Sequence, residues 1–215
     1  MGTGDLTGTD KSRKLSFAAV ILAAGASTRM GRPKLLLPWG GTSILGHLLN
    51  QWRSLCADRI AVVCAANDPA TRQELDRLGV AHELRIPNPS PDQGMFGSIQ
   101  CAAKWGAGNP SLTHLVIVLG DQPHLRRETL RALVEFAAAN PDAVSQPARH
   151  GRPRHPVVMP RRVFQRLQTP GTGTLKEFLQ LERVALCDVD DPGLDFDIDR
   201  PEDYEQAVRL FLEGA

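Results

Sequence analysis

Apolar residues along this chain fall into two interleaved patterns. Short runs rich in β-branched residues recur at positions 17–23, 59–65, 81–86, 114–119, 143–146, 156–159 and 184–189, each predicting a strand. Between them the spacing turns helical. Ile44, Leu45, Leu48, Leu49 and Trp52 share one face of a helix predicted over 43–55, with Thr42 placed to cap it. Asp68-Pro69 opens a second helix that stops at Gly79, and further helices are predicted over 94–105, 127–139 and 201–212. Strands alternating with helices predict a mostly parallel sheet covered on both faces, with active groups at the carboxyl ends of the strands. The stretch 147–156, rich in Pro, Arg and His, reads as a loop. Residues 1–16, polar and rich in Gly and Thr, read as a disordered extension, which leaves 17–213 as a single domain.

Composition narrows the function classes. A chain of 215 residues suits one domain with a substantial core. Its 25 basic and 24 acidic residues give a formal charge of +1, so no global field favours nucleic acid or a membrane surface, and a phosphate ligand must be held by local charge. One Tyr and 5% aromatic residues argue against a base-stacking platform for single strands. Cys56, Cys64, Cys101 and Cys187 form no Cys-x-x-Cys pair and read as free thiols, mostly in apolar surroundings, of a reducing, cytoplasmic compartment. No apolar run reaches about 18 residues, which argues against a membrane span.

The densest chemistry lies at the end of the first strand. Val20-Ile21-Leu22-Ala23-Ala24-Gly25-Ala26-Ser27-Thr28-Arg29-Met30-Gly31-Arg32-Pro33-Lys34 breaks from an apolar run into a loop of small residues carrying the cations Arg29 and Lys34. Small side chains let backbone N–H groups approach phosphate oxygens, and the two cations neutralise charge that a neutral backbone cannot. Gly25 and Gly31 stand one residue too far apart for a P-loop, and no Gly-x-Gly-x-x-Gly is present, which argues against a dinucleotide-dependent oxidoreductase.

A second candidate follows the strand at 114–119, where Gly120-Asp121-Gln122-Pro123 puts a carboxylate at a turn. A triphosphate needs a hard divalent cation, and carboxylates are its usual ligands. Alone, such an Asp is more often a turn former. Late in the chain, Asp195-Phe196-Asp197-Ile198-Asp199-Arg200-Pro201 starts a helix, with Asp199 a candidate cap. Strand-like alternation would face Asp197 and Asp199 to one side.

The loop Leu22-Ala23-Ala24-Gly25-x-Ser27-x-Arg29-Met30-Gly31-x-x-Lys34 resembles the signature of the nucleotidyltransferases that act on molybdopterin, the MobA-like NTP transferases that include molybdenum cofactor cytidylyltransferases and guanylyltransferases. The likeness extends over about residues 17–212. It implies a Rossmann-like, three-layer α/β fold in which Leu22, Ala23, Ala24, Gly25, Ser27, Arg29 and Lys34 wrap the nucleotide. It makes Arg29, Lys34 and Asp121 the catalytic residues, with Mg²⁺, or alternatively Mn²⁺, held by Asp121 and by Asp197 or Asp199, Asp197 being preferred. Ala23-Ala24 resembles the CTP-using branch, whereas Gly in place of these residues resembles the GTP-using branch. Asn88 and the Gly94–Ser98 stretch resemble the family's base-side segment, and His155-Pro156-Val157 its acceptor-side Gly-His-Pro-Val. Arg154 stands where Gly is usual, and Lys176 ends Gly171-Thr172-Gly173-Thr174-Leu175-Lys176 where Gly-Asp-x-Gly-Ala-Arg is usual, so Arg154, His155 and Lys176 are the expected acceptor contacts. The implied reaction moves CMP from CTP to molybdenum-bound molybdopterin, with a molybdoenzyme or its maturation factor as protein partner. The alternatives are GTP as donor, another phosphorylated acceptor, or a non-catalytic accessory protein that binds the cofactor.

Overall fold

The computed structural model describes residues 15–55, 57–168 and 173–213, the side chains of 211–213 excepted. The extension expected over 1–16 lies outside the described residues as far as residue 14, and so do Cys56, Gly171 and Thr172. In chain order the elements are β1 (Phe17–Leu22), β2 (Pro38–Trp39), β3 (Thr42–Ser43), α1 (Ile44–Arg53), β4 (Arg59–Ala65), α2 (Pro69–Arg77), β5 (Arg85–Asn88) and α3 (Met95–Ala107). There follow β6 (His114–Leu119), α4 (Arg127–Ala139), β7 (Val144–Arg149), β8 (Arg152–Pro153), β9 (Val157–Pro160), α5 (Arg161–Arg166), α6 (Leu175–Leu179), β10 (Val184–Asp188) and α7 (Pro201–Glu213).

The main sheet runs β10-β7-β9-β6-β1-β4-β5, with β8 paired to β7. β1 lies parallel between β4 and β6, and β5 is parallel to β4. β9, inserted between β6 and β7, is antiparallel to both, and the short β8 is antiparallel to β7. Central strands covered on both faces have no polar side, and this explains the unbroken apolar runs of β1 and β6. Their alternation still sorts side chains by layer. Phe17, Ala19 and Ile21 pack with Leu48 and Trp52 of α1, Leu130 and Leu133 of α4 and Ala207 of α7. Ala18 and Val20 pack on the other face with Ile99 and Ala102 of α3, Phe164 of α5 and Leu175 of α6. The result is the mostly parallel three-layer α/β fold that was expected. Trp52 and Phe164 are fully buried anchors of the two layers, and truncating either to Ala should cost about 3–5 kcal/mol.

Four local expectations are corrected. The strand expected over 81–86 is a 3-10 turn at His82–Leu84 followed by β5, which tolerates Pro87 because an edge strand has one free side. The loop expected over 147–156 is largely the β7–β8 hairpin, in which Arg154 N donates to Pro147 O at 2.8 Å and the Arg154 carbonyl, which proline cannot serve, accepts from Gln146 Nε2 at 3.1 Å. Ser43, not Thr42, caps α1, accepting from Gly46 N at 3.0 Å, while Thr42 pairs with Trp39 in the β2–β3 hairpin. Helices α5 and α6 were not anticipated, since five or six residues are too short to show a period. Cys64, Cys101 and Cys187 are free thiols, each pushed up in pKa chiefly by burial. No helix among the described residues is long and apolar enough to cross a membrane.

Candidate active site

The site forms where β1 and β6 end side by side. Sheet bonding continues one residue past β1, with Ala23 N donating to Val63 O at 2.7 Å, and the chain then leaves the sheet. Ser27 (φ 49°) and Gly31 (φ 68°) both adopt left-handed backbone, bracketing a 3-10 turn at Thr28–Met30. Buried Met30 and Leu35 pin the loop to the core. The Ser27 hydroxyl accepts from Lys34 N at 3.3 Å, tying its two ends together. Short side chains and this reversal of hand are what fold the loop back over the strand ends.

Gly120 brings the second strand end equally close. A Cβ there would meet Leu22 O at 2.7 Å and Leu35 Cδ2 at 2.8 Å, so only glycine fits. Asp121 is thereby set beside Lys34, whose ammonium donates to Asp121 Oδ2 at 3.0 Å, to the carbonyl of Ile198 at 3.0 Å and to Asp199 Oδ1 at 3.4 Å. Arg29 joins from the rim through an ion pair with Asp199 Oδ2 at 3.0 Å. Ile198 N in turn donates to Asp121 O at 3.1 Å, so the late acidic segment is stitched to the turn after β6. The segment from Phe196 to Asp199 is not a strand, yet the structure brings Asp197 within electrostatic reach of Asp121 and Asp199. Asp199 does not cap α7. Asp203 accepts from the backbone N–H groups of Asp199 and Arg200 instead, which frees Asp199 for the two cations.

The electrostatics show an acidic centre balanced by these cations. Desolvation of its carboxyl group, then repulsion from Asp121 and Asp199, raises the pKa of Asp197, opposed by a hydrogen bond from Gln122 Nε2 at 2.8 Å and by Lys34. Asp121 Oδ1 is buried with no hydrogen-bond partner. His155, within electrostatic reach of Asp121, is pushed down to about 4 by burial, only partly offset by the charge of Asp121 and a hydrogen bond to the backbone of Ile117. It is therefore neutral at pH 7, with Nδ1 buried and unpartnered.

Beside the acidic centre opens a cleft lined by Leu22, Ala23, Ala24, Gly25, Ser27, Lys34, Gly94, Met95, Ser98 and Asp121. Leu22, Ala23, Ala24, Gly25, Ser27 and Lys34 thus face it, as do Gly94 and Ser98, whereas Arg29, expected with them, stays at the exposed rim on Asp199 and does not line it. Gly94 is the N-cap of α3 and offers no side-chain cap, so that helix presents uncapped N–H groups and its positive end. Asn88 is placed differently. Its amide is spent internally, donating to Ser98 Oγ at 3.0 Å and accepting from Ser90 N at 2.9 Å, so it shapes the cleft wall from behind. Of the expected acceptor contacts, only His155 lies near the acidic centre. Arg154 is turned to Asp195, with Nε–Oδ1 at 2.9 Å, and Asp195 also binds Arg149 at 2.7 Å. Lys176 is exposed on α6 and does not line the cleft.

No group of three or more His, Cys, Asp or Glu among the described residues is arranged to hold a metal by itself. A site for Mg²⁺ or Mn²⁺ completed by substrate needs less, because such ions take one or two carboxylates and fill the rest with water and phosphate oxygens. The orphaned Asp121 Oδ1 and the mutual repulsion of Asp121 and Asp197 fit a hard dication placed between them. Sequence reasoning missed Gln122 and the Ile198 carbonyl. The first is an uncharged amide that does not stand out beside Asp121, and the second is backbone, which no residue pattern reports.

Residues 19–186 match the family model described as the MobA-like NTP transferase domain. The chain is similar to the molybdenum cofactor cytidylyltransferase of Escherichia coli K12, 25% identical over 90% of this chain and 96% of that one. It is also similar to the bifunctional protein GlmU of Corynebacterium diphtheriae, 34% identical over 64% of this chain. That match spans only 30% of GlmU. In structure it resembles Rv0371c of Mycobacterium tuberculosis H37Rv in its complex with manganese, with a TM-score of 0.64 and 24% identity over 90% of this chain and 98% of that one.

Proposed function

This chain belongs to the MobA-like NTP transferase domain family, and from that membership we propose that it transfers CMP from CTP to molybdenum-bound molybdopterin and releases pyrophosphate. The observation that carries the reading is the meeting of Lys34, Asp121 and Asp199 at the joined ends of β1 and β6, at the edge of a cleft walled by small residues and a helix N-terminus. A cleft of that kind suits a triphosphate, and an adjacent acidic centre suits the cation that accompanies it. The likeness to the E. coli cytidylyltransferase over nearly the whole of both chains supports this donor and acceptor.

In the proposed step a phosphate oxygen of the acceptor attacks the α-phosphorus of the nucleotide. The bond from that phosphorus to the bridging oxygen breaks, and the electron pair leaves with pyrophosphate. A phosphate monoester has a second pKa of about 6 and is largely dianionic at neutral pH, so no general base is required. This agrees with His155 being held neutral by burial and not poised near neutrality. The loop and the α3 N-terminus orient the triphosphate. Arg29 and Lys34 stabilise charge that grows on the departing pyrophosphate. Asp121, with Asp197, would hold Mg²⁺ or Mn²⁺, which when bound neutralises phosphate charge across the site. The manganese complex of Rv0371c supports a divalent cation in this fold.

A second acceptor reading has its own observation. Arg154 is consumed by Asp195, and Lys176 stands away from the cleft, so neither offers a ready anion contact for molybdopterin. A different phosphorylated acceptor would leave the nucleotide side unchanged. Pyrophosphate release measured with each of the four NTPs, with and without molybdenum-loaded molybdopterin, separates the two. Release with CTP only when the loaded cofactor is present supports the proposal. Release that ignores the cofactor and requires another phosphomonoester favours the second reading, and no release with any pairing overturns nucleotidyl transfer.

A further inference from the structure

The turn after β6 is joined to the late acidic segment by backbone, through Ile198 N to Asp121 O at 3.1 Å, and by one side chain that touches a carboxylate directly. That side chain is Gln122. It is buried, only 5% exposed, and its Nε2 donates to Asp197 Oδ1 at 2.8 Å. Its other terminal atom, Oε1, is buried without a hydrogen-bond partner. A side chain chosen for packing alone would not leave a buried amide oxygen unsatisfied, because an apolar group of similar size avoids that cost. The amide also has only one tolerable orientation here. Flipped, it would aim Oε1 at a carboxylate oxygen. The bond it does make is charge-assisted, and so the stronger for having an ionised acceptor.

We propose that Gln122 is a positioning residue of the metal-binding centre, fixing the Asp197 carboxylate by one oxygen so that the other faces Asp121. The inference rests on the reading of Asp121 and Asp197 as the carboxylates that hold the divalent ion. Geometry supplies the reason. Asp197 sits on an irregular, extended stretch with no helix or strand to set its rotamer. Gln122, by contrast, projects from the tight turn fixed by Gly120 and the end of β6. The Gln122 amide thus passes the precision of the sheet to a ligand that the local backbone leaves loose. Outer-sphere partners that orient a metal ligand in this way raise affinity about 10–100-fold.

The test measures Mn²⁺ affinity from the free-ion electron paramagnetic resonance signal, with the full-length protein and a saturating non-hydrolysable nucleotide. Gln122→Met keeps side-chain length and removes both the donor and the orphaned oxygen. It should weaken Mn²⁺ binding about tenfold or more while leaving the circular dichroism spectrum and thermal midpoint unchanged or improved. In an Asp197→Asn background the same substitution should have no further effect, since Gln122 acts through that carboxylate. Unaltered Mn²⁺ affinity in Gln122→Met, or a full additional loss in the double variant, overturns the proposal. Should Gln122→Met not fold, Gln122→Leu also lacks the donor and carries the same expectation. Asp121→Asn separates the two levels of the argument. If it retains full Mn²⁺ affinity, the metal reading fails. If it loses Mn²⁺ while Gln122→Met does not, only the role of Gln122 fails.

Discussion

The ammonium of Lys34 touches three oxygens from two distant parts of the chain, and its side chain is 16% exposed against 71% for Arg29. The two cations should therefore behave differently when removed. Lys34→Ala takes a preorganised charge from the point where the cleft meets the acidic centre. It should cost about 2–4 kcal/mol of transition-state stabilisation, seen in kcat and not only in KM. Arg29→Ala breaks an exposed pair that contributes little to the free protein, so its loss should register mainly once nucleotide is bound. Steady-state kinetics of both variants check this; a change confined to KM would mean that the two residues only collect nucleotide. His155 allows a test in the absence of substrate. Its folded pKa of about 4 lies below the unfolded 6.5, so between those values the unfolded chain takes up a proton that the folded chain refuses. Stability from this residue is complete above 6.5 and falls as pH drops towards 4, by roughly 3 kcal/mol in all. Asp197 works in the other direction, because its folded pKa is raised and its ionisation above the ordinary Asp range opposes folding. Urea unfolding at pH 7.5 and pH 4.5 should show His155→Gln losing less on acidification than the unaltered protein, and equal losses would place the acid sensitivity elsewhere. At this scale the loop cations and the three aspartates were legible because charged side chains stand out against an apolar strand. The commitments of Asn88 to Ser98 and of Arg154 to Asp195 were not legible, since hydrogen-bond partners 10 or 41 positions away leave no trace in local pattern.

Among the elements, β1 and β6 position everything else, and both were plain in the sequence because strands buried on two faces must be apolar throughout. What the pattern could not show was how closely the ends of these strands approach, which is decided by one residue. At Gly120 a methyl group would press on the Leu22 carbonyl at 2.7 Å, and backbone cannot yield as a flexible side chain can. Gly120→Ala should therefore separate the β6 end from the β1 loop and carry Asp121 away from Lys34. The expected loss is about 1–3 kcal/mol of stability by overpacking, with a larger fall in turnover than that stability loss explains. Denaturant unfolding and kcat measured on the same preparations would check it; an Ala variant of full stability would mean that the two strand ends are free to spread. The misread elements share a cause. β5 holds Pro87, β7 holds Pro147, and α5 and α6 are short, so each contradicts a local rule that tertiary context overrides. The edge position of β5 excuses Pro87, the Gln146 side chain takes the carbonyl that Pro147 leaves without a ladder partner, and packing on the sheet through Phe164, Leu175 and Leu179 sustains helices too short to stand alone.

For the molecule as a whole, the mostly parallel sheet gathers the first loop, the α3 N-terminus and Asp121 around one cleft, so that the proposed donor recognition and charge stabilisation would share a single opening. Which base that opening prefers depends on the wall next to the loop. Ala23 and Ala24 are 3% and 7% exposed, and both line the cleft, opposite Gly94, Met95 and Ser98. Methyl groups on one wall and a helix end on the other leave less room for a purine than a pair of glycines would. Asn88 and Ser98 bond to each other behind the second wall, which keeps it from moving back to make space. CTP should therefore be used in preference to GTP. A misfit of the size of one methyl group is worth about 1–3 kcal/mol, or roughly 10–200-fold in kcat/KM. Ala24→Gly should narrow that ratio by relieving the purine, raising kcat/KM for GTP more than it lowers that for CTP. The measurement is kcat/KM for both nucleotides in the unaltered protein and in the variant, with the same acceptor throughout. Equal values for the two nucleotides in the unaltered protein would remove the cytidylyl assignment and leave nucleotidyl transfer in place. A preference for CTP that Ala24→Gly leaves untouched would move the discrimination away from the loop, to the Gly94–Ser98 wall.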